Sequence, residues 1–410
     1  MSKTVFILGG HQTDYAVNYT KAGKELVDIF KDTVRGGLES AKIEPHEIDV
    51  AHVGNFMGEL QCMQGHLGAF FLECDPVFRG LPTARHEAAC ASGSIATLAA
   101  MAEIEAGRYD VACVLGVEMQ RNRSGKETAQ HLGVAAWFDR ECQGVEFPFP
   151  DLFGKLGDEY EKRYGLKREH LAHIAKVNFD NARRNPNAQT RTWTLTDESF
   201  TENDEHNPVI AGCIRRQDCS QVTDGGACVF LASEEFAQHW AERNGKSLGG
   251  LPRIKGWGHT TAPILFGDKM QESKDNPYIL PHVREAILAA FARAGMPGVE
   301  AVNAIETHDC FTPTEYMAID HFGLTAPGES WKAIEDGVID LGGETPINPS
   351  GGLMGVGHPV GASGVRMLLD ATKQVTGAAD GYQVEGAKNV STLNIGGSGT
   401  TTVSFVVGMN

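Results

Sequence analysis

Ala84-Arg85-His86-Glu87-Ala88-Ala89-Cys90-Ala91-Ser92-Gly93-Ser94 carries an extended approach into a run of small residues, Cys90 to Ala100, with good helix-forming composition. Gly107 is a natural stop for that helix. Ser92, Gly93 and Ser94 allow backbones to pack closely at its start. A cysteine at a helix start meets unpaired N–H groups and the positive end of the macrodipole, and both favour thiolate over thiol. Cys90 is therefore expected to be a nucleophile. Cysteine is also among the most buried residue types, so partners elsewhere in the chain must decide the matter.

Upstream, Val5 to Gly10 reads as a buried strand. Residues 24–42 read as an amphipathic helix, with Leu26, Ile29, Phe30, Val34, Leu38 and Ala41 three and four apart. Ile48 to Val53 is a second strand. Met57 to Pro76 is apolar without clean periodicity, which suits a connection or a subunit contact. Downstream, Asp110 to Gly116 is another buried strand. Apolar strands alternating with helices imply a parallel sheet covered by helices.

From about 120 to 220 this rhythm stops. Residues 159–173 and 174–184 look helical and 185–208 irregular, and the whole reads as an insertion. The sheet resumes at Asp224 to Ala232 and continues at Arg253 to Gly258. A second α/β unit then repeats the first: a helix over 279–295, a break, and a strand over Val302 to Thr307. Gly361-Ala362-Ser363-Gly364 opens a helix matching that of Cys90. Val390 to Leu393 and Thr400 to Val407 suggest antiparallel strands joined by a Gly-rich turn. Two similar halves point to duplication, with a functional cleft between them.

The 410 residues suit two or three domains, and 41% hydrophobic with 22% charged residues is a globular composition. A net charge of −17 argues against nucleic acid or an anionic membrane surface as partner. No apolar run is long enough to span a bilayer, and the start lacks the pattern of a cleavable signal. The nine cysteines include no CxxC pair, which indicates neither a zinc ribbon nor a disulfide framework, and a reducing cytoplasm is the simplest home. An anionic ligand needs a local basic patch. From Asp151 to Arg191 there are nine Lys/Arg against six Asp/Glu, about +3, a composition that also suits an ordinary solvated helical face.

Three further clusters follow predicted strands of the second half: Glu306-Thr307-His308-Asp309-Cys310-Phe311; Asn348-Pro349-Ser350-Gly351-Gly352 with Gly357-His358-Pro359; and Asn394-Ile395-Gly396-Gly397. Open α/β sheets place ligands outside the carboxyl ends of their strands, so these loops are expected to converge on Cys90.

Over essentially its whole length the chain resembles the thiolase superfamily. Cys90-Ala91-Ser92 matches the nucleophile motif, Gly357-His358-Pro359 the histidine motif and Asn394-Ile395-Gly396 the last loop. Asp218-Cys219-Ser220 with Asp224-Gly225-Gly226-Ala227 matches the return from the family's loop domain. The resemblance implies a five-layered α-β-α-β-α fold of two βαβαβαββ halves, usually a homodimer or homotetramer. The halves would be 1–120 with 221–270, and 271–410, with a CoA-binding loop domain at 121–220. Two departures narrow the branch. Biosynthetic thiolases carry a second reactive cysteine where this chain has Asn394, and an Asn-Glu-Ala-Phe loop where it has His308-Asp309-Cys310-Phe311. Both changes resemble the thiolases linked to sterol carrier protein and their archaeal and bacterial acetyl-CoA acetyltransferase relatives.

That resemblance assigns roles. Cys90 takes an acyl group from an acyl-CoA, most simply acetyl-CoA. It passes the group to a carbon nucleophile in a Claisen condensation of the acetoacetyl-CoA type, or 3-ketoacyl-CoA is cleaved by CoA in reverse. His358 accepts the Cys90 proton, and Cys310 replaces the missing cysteine in proton transfer. His308 and His358 form one oxyanion hole; the N–H groups of Cys90 and Gly396 form the other. His86, four residues before Cys90, is expected only to pack. CoA is a substrate; no tightly bound cofactor and no metal is implied. Its phosphates require cations, for which Arg183, Arg184, Arg215 and Arg216 of the implied loop domain are the candidates. Two other readings remain open. One is an acyltransferase subunit working with an OB-fold, zinc-ribbon partner on a non-CoA acceptor such as an activated aromatic ring. The other is a retro-aldol lyase or inactive scaffold, against which Cys90, His308, Cys310 and His358 count together.

Overall fold

The computed structural model describes residues 3–409. Its strands are β1 (Val5–Gln12), β2 (Val50–Gly54), β3 (Thr83–His86), β4 (Val111–Glu118), β5 (Val209–Ala211), β6 (Ile214–Arg215), β7 (Gly225–Ala232), β8 (Pro252–Thr261), β9 (Ala304–Thr307), β10 (Asn389–Gly396) and β11 (Thr401–Met409). The helices that matter for the site are α1 (Leu26–Ala41), α2 (Ser92–Glu105), α3 (Pro148–Tyr164), α4 (Arg168–Ala182), α5 (Glu234–Arg243), α6 (Pro281–Ala294), α7 (Thr312–Phe322) and α8 (Val360–Thr376).

Nine strands lie in the order β3-β2-β4-β7-β1-β8-β11-β10-β9, with β5 and β6 a separate hairpin. This order is nearly palindromic. Ile347 bridges to Ile305 of β9 in parallel, where the first half has β3 beside β2. The duplication read from the sequence is thus visible in the strand order. The halves meet where β1 pairs with β8 over only two residue pairs, Val5 with Ile254 and Phe6 with Arg253. β8 pairs with β11 along nine. We therefore draw the boundary between the halves ahead of β8, rather than at 270.

Layering follows from strand alternation. Cys113, Leu115 and Val117 of β4 face the core beneath α1 and α5, whereas Ala112 and Val114 face the core shared by α2 and α8. In the second half, Val403, Phe405 and Val407 of β11 face that shared core, and Val406 faces the α6/α7 side. The layers are therefore α1/α5, first sheet half, α2/α8, second sheet half and α6/α7. The two middle helices touch through backbone at their starts: a Cβ on Gly93 would stand 2.7 Å from the Gly361 carbonyl oxygen.

Two expectations are corrected. The insertion's long helices are 148–164 and 168–182, so the break is at Gly165 (φ +78°) and not at 173/174. Pro148 opens α3, and Leu152, Phe153, Leu156 and Tyr160 bury one face of it. Cys90 also does not begin the α-helix; it sits in a 3₁₀ turn, Ala89–Ala91, just ahead of α2. The stretch 57–76 forms short helical turns at 58–62, 67–70 and 71–74. No helix among the described residues is long and apolar enough to cross a membrane.

Candidate active site

The turn at Cys90 is built by its neighbours. Ala89 holds φ +51°, a conformation that costs a residue with a Cβ on the order of 1 kcal/mol. Ser92 secures it by accepting the Ala88 N–H at 2.9 Å and donating to the Ala89 carbonyl at 2.6 Å. His308 and Cys310 occupy the loop after β9, His358 lies one residue ahead of Pro359, the cap of α8, and Gly396 ends β10.

These loops converge. Cys90, His308, Cys310, His358 and Gly397 line one cavity of about 50 Å³, closed by Phe56, Leu132, Phe149, Phe153 and Phe311. The Cys90 sulfur and a ring nitrogen of each histidine lie within 4.8 Å of one another. The imidazoles stand edge to face, centroids 5.3 Å apart at 84°. Nδ1 of His358 lies 2.7 Å from Ser363 Oγ, and Nδ1 of His308 lies 3.3 Å from Asn394 Nδ2. Both Nε2 atoms are buried without a protein partner among the described residues. Gly397, one residue beyond Gly396, directs its N–H to the Cys90 sulfur, while Gly396 packs against the Ala88 carbonyl.

Electrostatically the site rests neutral. Burial holds the Cys90 thiol up at about 12, and Glu118 adds to the shift against the N–H groups of Cys90 and Gly397. The expected thiolate bias of a helix start is therefore outweighed: a charge in this enclosed, phenylalanine-lined cavity loses more hydration than the nearby N–H groups return. Burial likewise raises Cys310, with the neighbouring Cys90 next, and lowers His358 to about 3 and His308 well below its usual range. Such a site can hold a neutral thioester and exchange protons internally.

The supporting shell is buried and polar. Asp309 accepts the N–H groups of Leu353 and Met354 at 2.5 and 3.2 Å and the Asn178 amide at 3.0 Å. Thr223 accepts the His358 N–H at 2.9 Å, and the Gln120 amide donates to the His358 carbonyl at 2.8 Å. Glu118 accepts from Asn55, Phe56, Met57 and Gly361, tying the first half to the start of α8. The insertion covers the site: Phe153 stacks on Phe311 at 5.1 Å, and Arg168 pairs with buried Asp218.

The family models decide the relationship: "Thiolase, N-terminal domain" matches residues 5–235, and "Thiolase C-terminal domain-like" matches residues 267–409. The chain belongs to the thiolase family. It is 30% identical over 392 residues to an acetyl-CoA acetyltransferase of Methanothermobacter thermautotrophicus, covering 94% of this chain and 96% of that one. It is 28% identical over 411 residues to sterol carrier protein 2 of Rattus norvegicus, covering 98% of this chain and 71% of the relative. The structure of an Ltp2–ChsH2(DUF35) aldolase superposes with a TM-score of 0.77 at 18% identity, covering 99% and 98% of the two chains, and shows the same fold.

A cleft of about 390 Å³ leads to the inner cavity, sharing Leu132, Phe149, Ser220, Phe311, His358 and Val360 with it. Of the four candidate arginines, Arg216 lines this cleft. Arg215 pairs with Asp204, Arg183 with Asp180, and the Arg184 backbone packs on Gly381. His86 sits outside the cavity, 2.9 Å from His52 Nδ1, while His52 Nε2 is 3.1 Å from Glu103. Sequence reasoning passed over Ser363, Thr223, Gln120 and Glu118 as site residues. Only Glu118 left a signal, an acid at the end of an otherwise apolar strand.

Proposed function

We propose that the protein is an acyltransferase in which Cys90 is acylated by an acyl-CoA, acetyl-CoA in the simplest case. The observation that carries this reading is that two sulfurs and two imidazoles, from both halves of the chain, line one cavity fed by one cleft. His358 takes the Cys90 proton as the sulfur attacks the thioester carbon. The CoA sulfur leaves with the proton of Cys310, which becomes the thiolate. After a second acetyl-CoA enters, Cys310 removes its α-proton, and the carbanion attacks the acetyl-enzyme. The Cys90 sulfur leaves and recovers its proton from His358. The sum is acetoacetyl-CoA plus CoA, and thiolysis runs the same steps backwards. The N–H groups of Cys90 and Gly396 serve the acyl oxygen, with His308 and His358 serving the enolate. Incubation with acetyl-CoA followed by intact-mass measurement tests the first step. The expected result is one acetyl adduct on wild type and none on Cys90→Ala; an unmodified wild type overturns the reading.

A second reading rests on the lining of the outer cleft, which is mostly apolar with Arg216 as its cation. It favours an apolar carbon acceptor in place of the second CoA ester, delivered with a protein partner. The aldolase that shares the fold carries two component names, Ltp2 and ChsH2(DUF35). Co-purification with a small partner, and acceptor range with and without it, separates the two readings. For self-association we propose the face around the edge strand β3, where Leu60, Met63, Leu72 and Val77 are exposed. Solution mass of wild type against Met63→Glu with Val77→Glu tests it; an oligomer unchanged by both substitutions rules this face out.

A further inference from the structure

His308 and His358 face the same sulfur, are both buried, and are both driven to the neutral state. A neutral imidazole carries one proton, and which nitrogen holds it decides whether the ring can donate or accept. The hydrogen bonds behind the two rings settle this differently.

Behind His308 stands Asn394. Its Oδ1 accepts the Ser94 hydroxyl at 2.7 Å, which leaves Nδ2 facing His308 Nδ1 at 3.3 Å. An amide NH₂ can only donate. Nδ1 of His308 must therefore be the acceptor, and its proton lies on Nε2. Behind His358 stands Ser363, whose Oγ lies 2.7 Å from Nδ1 and 3.1 Å from the Pro359 carbonyl oxygen. The carbonyl can only accept, so the hydroxyl proton points there. The remaining lone pair accepts from Nδ1–H, and His358 Nε2 is left bare.

We propose that Ser94 and Asn394 are positioning residues that fix His308 as an Nε2–H donor, while Ser363 fixes His358 as an Nε2 acceptor. At rest the site then holds one base and one acid with separate duties. Only His358 can take the Cys90 proton, and only His308 can donate to a substrate oxygen. Once that proton has moved, His358 also becomes a donor, so the second N–H of the imidazole pair appears only when Cys90 is charged for attack. Proton transfer and oxyanion support are thereby ordered in time. This inference rests on the proposed acyl transfer for its use, though not for its geometry. It also gives Asn394 a purpose in the loop where biosynthetic thiolases carry cysteine.

Long-range proton–nitrogen spectra of protein carrying isotope-labelled histidine test it on the unliganded enzyme, with His308→Gln and His358→Gln giving the assignments. The expected wild-type result is a bare Nδ1 with protonated Nε2 on His308, and the reverse on His358. In Asn394→Asp the carboxylate can only accept, so the His308 proton should move to Nδ1 and acetoacetyl-CoA formation should fall by on the order of 100-fold. Cys90 acetylation should change far less. A His308 already protonated at Nδ1 in the wild type, or unchanged in Asn394→Asp, overturns the proposal. The wild-type spectrum decides even if that variant fails to fold. Correct tautomers without an acetyl adduct would instead refute the acyl-transfer reading and leave this one standing.

Discussion

The backbone N–H of Ser220 donates to the Cys310 carbonyl at 2.8 Å, joining the end of the insertion to the loop that carries the second sulfur. Cys219 bridges Phe311 in antiparallel fashion alongside, and Phe153 stacks on the same Phe311. The Cys310 thiol itself meets Thr314 Oγ1 at 4.0 Å and the N–H of Phe311. The loop is thus fixed by its backbone while its sulfur stays available to the cavity.

Cys310→Ala should therefore separate the two half-reactions. Acetylation of Cys90 should persist at a reduced rate, because His358 still receives its proton. Condensation lacks the group that removes the α-proton, and a positioned acid–base group contributes about 10²–10⁴-fold. Intact mass should show the adduct, while a coupled assay for acetoacetyl-CoA should show a loss of that order. Full condensation activity in this variant would remove Cys310 from the mechanism.

Reactivity of Cys90 should betray its protonation. With the thiol held up at about 12, the thiolate fraction rises roughly tenfold per pH unit across about pH 7 to 10. Iodoacetamide labelling of Cys90, followed by peptide mapping, should climb throughout that range, whereas a free cysteine levels off above about 8.5. A flat profile from neutral pH upward would mean that a thiolate–imidazolium pair exists before substrate arrives.

Glu118 offers a thermodynamic test. Its carboxyl is fully buried and raised to about 7 by burial, against the N–H groups of Phe56, Met57 and Gly361. Since the unfolded value is near 4.5, the folded state binds the extra proton between those limits. Its contribution is full below about 4.5 and is lost as pH rises through about 7. Glu118→Gln cannot titrate and presents an NH₂ to donors, so it should lower Tm by several degrees. The Tm gap to wild type should widen as pH falls from neutrality toward 5. A gap independent of pH would show that this carboxyl is ionised throughout.

The duplication and the four converging loops were legible because each depends on local pattern: apolar strands, a small-residue helix start, and histidine or cysteine beside glycine. What sequence could not supply was enclosure. Nothing in Phe149 and Phe153 says that their helix closes over Cys90, and burial there pushes the thiol's pKa up where a helix start alone would lower it. Ser363 and Thr223 read as ordinary turn and helix residues, since their value lies in which ring or N–H they meet across the fold. Gly165 was missed as a helix stop because the charged residues on either side continue a helical composition.

Arg216 is set apart from the other loop-domain arginines by position and not by charge. It lines the outer cleft, and its Nη2 donates to the His206 carbonyl at 2.9 Å, leaving further N–H groups for a ligand. A phosphate held there would be bound equally in ground and transition states, so its loss should raise KM with kcat unchanged. For Arg216→Gln, removal of one charge-assisted contact, worth about 1.5–3 kcal/mol, predicts a KM for acetyl-CoA roughly 10- to 100-fold higher, with a weaker salt dependence. Arg183→Gln, which removes an exposed partner of Asp180, should leave KM within about twofold. Equal effects from both substitutions would mean that long-range charge, and not a contact in this cleft, attracts the coenzyme.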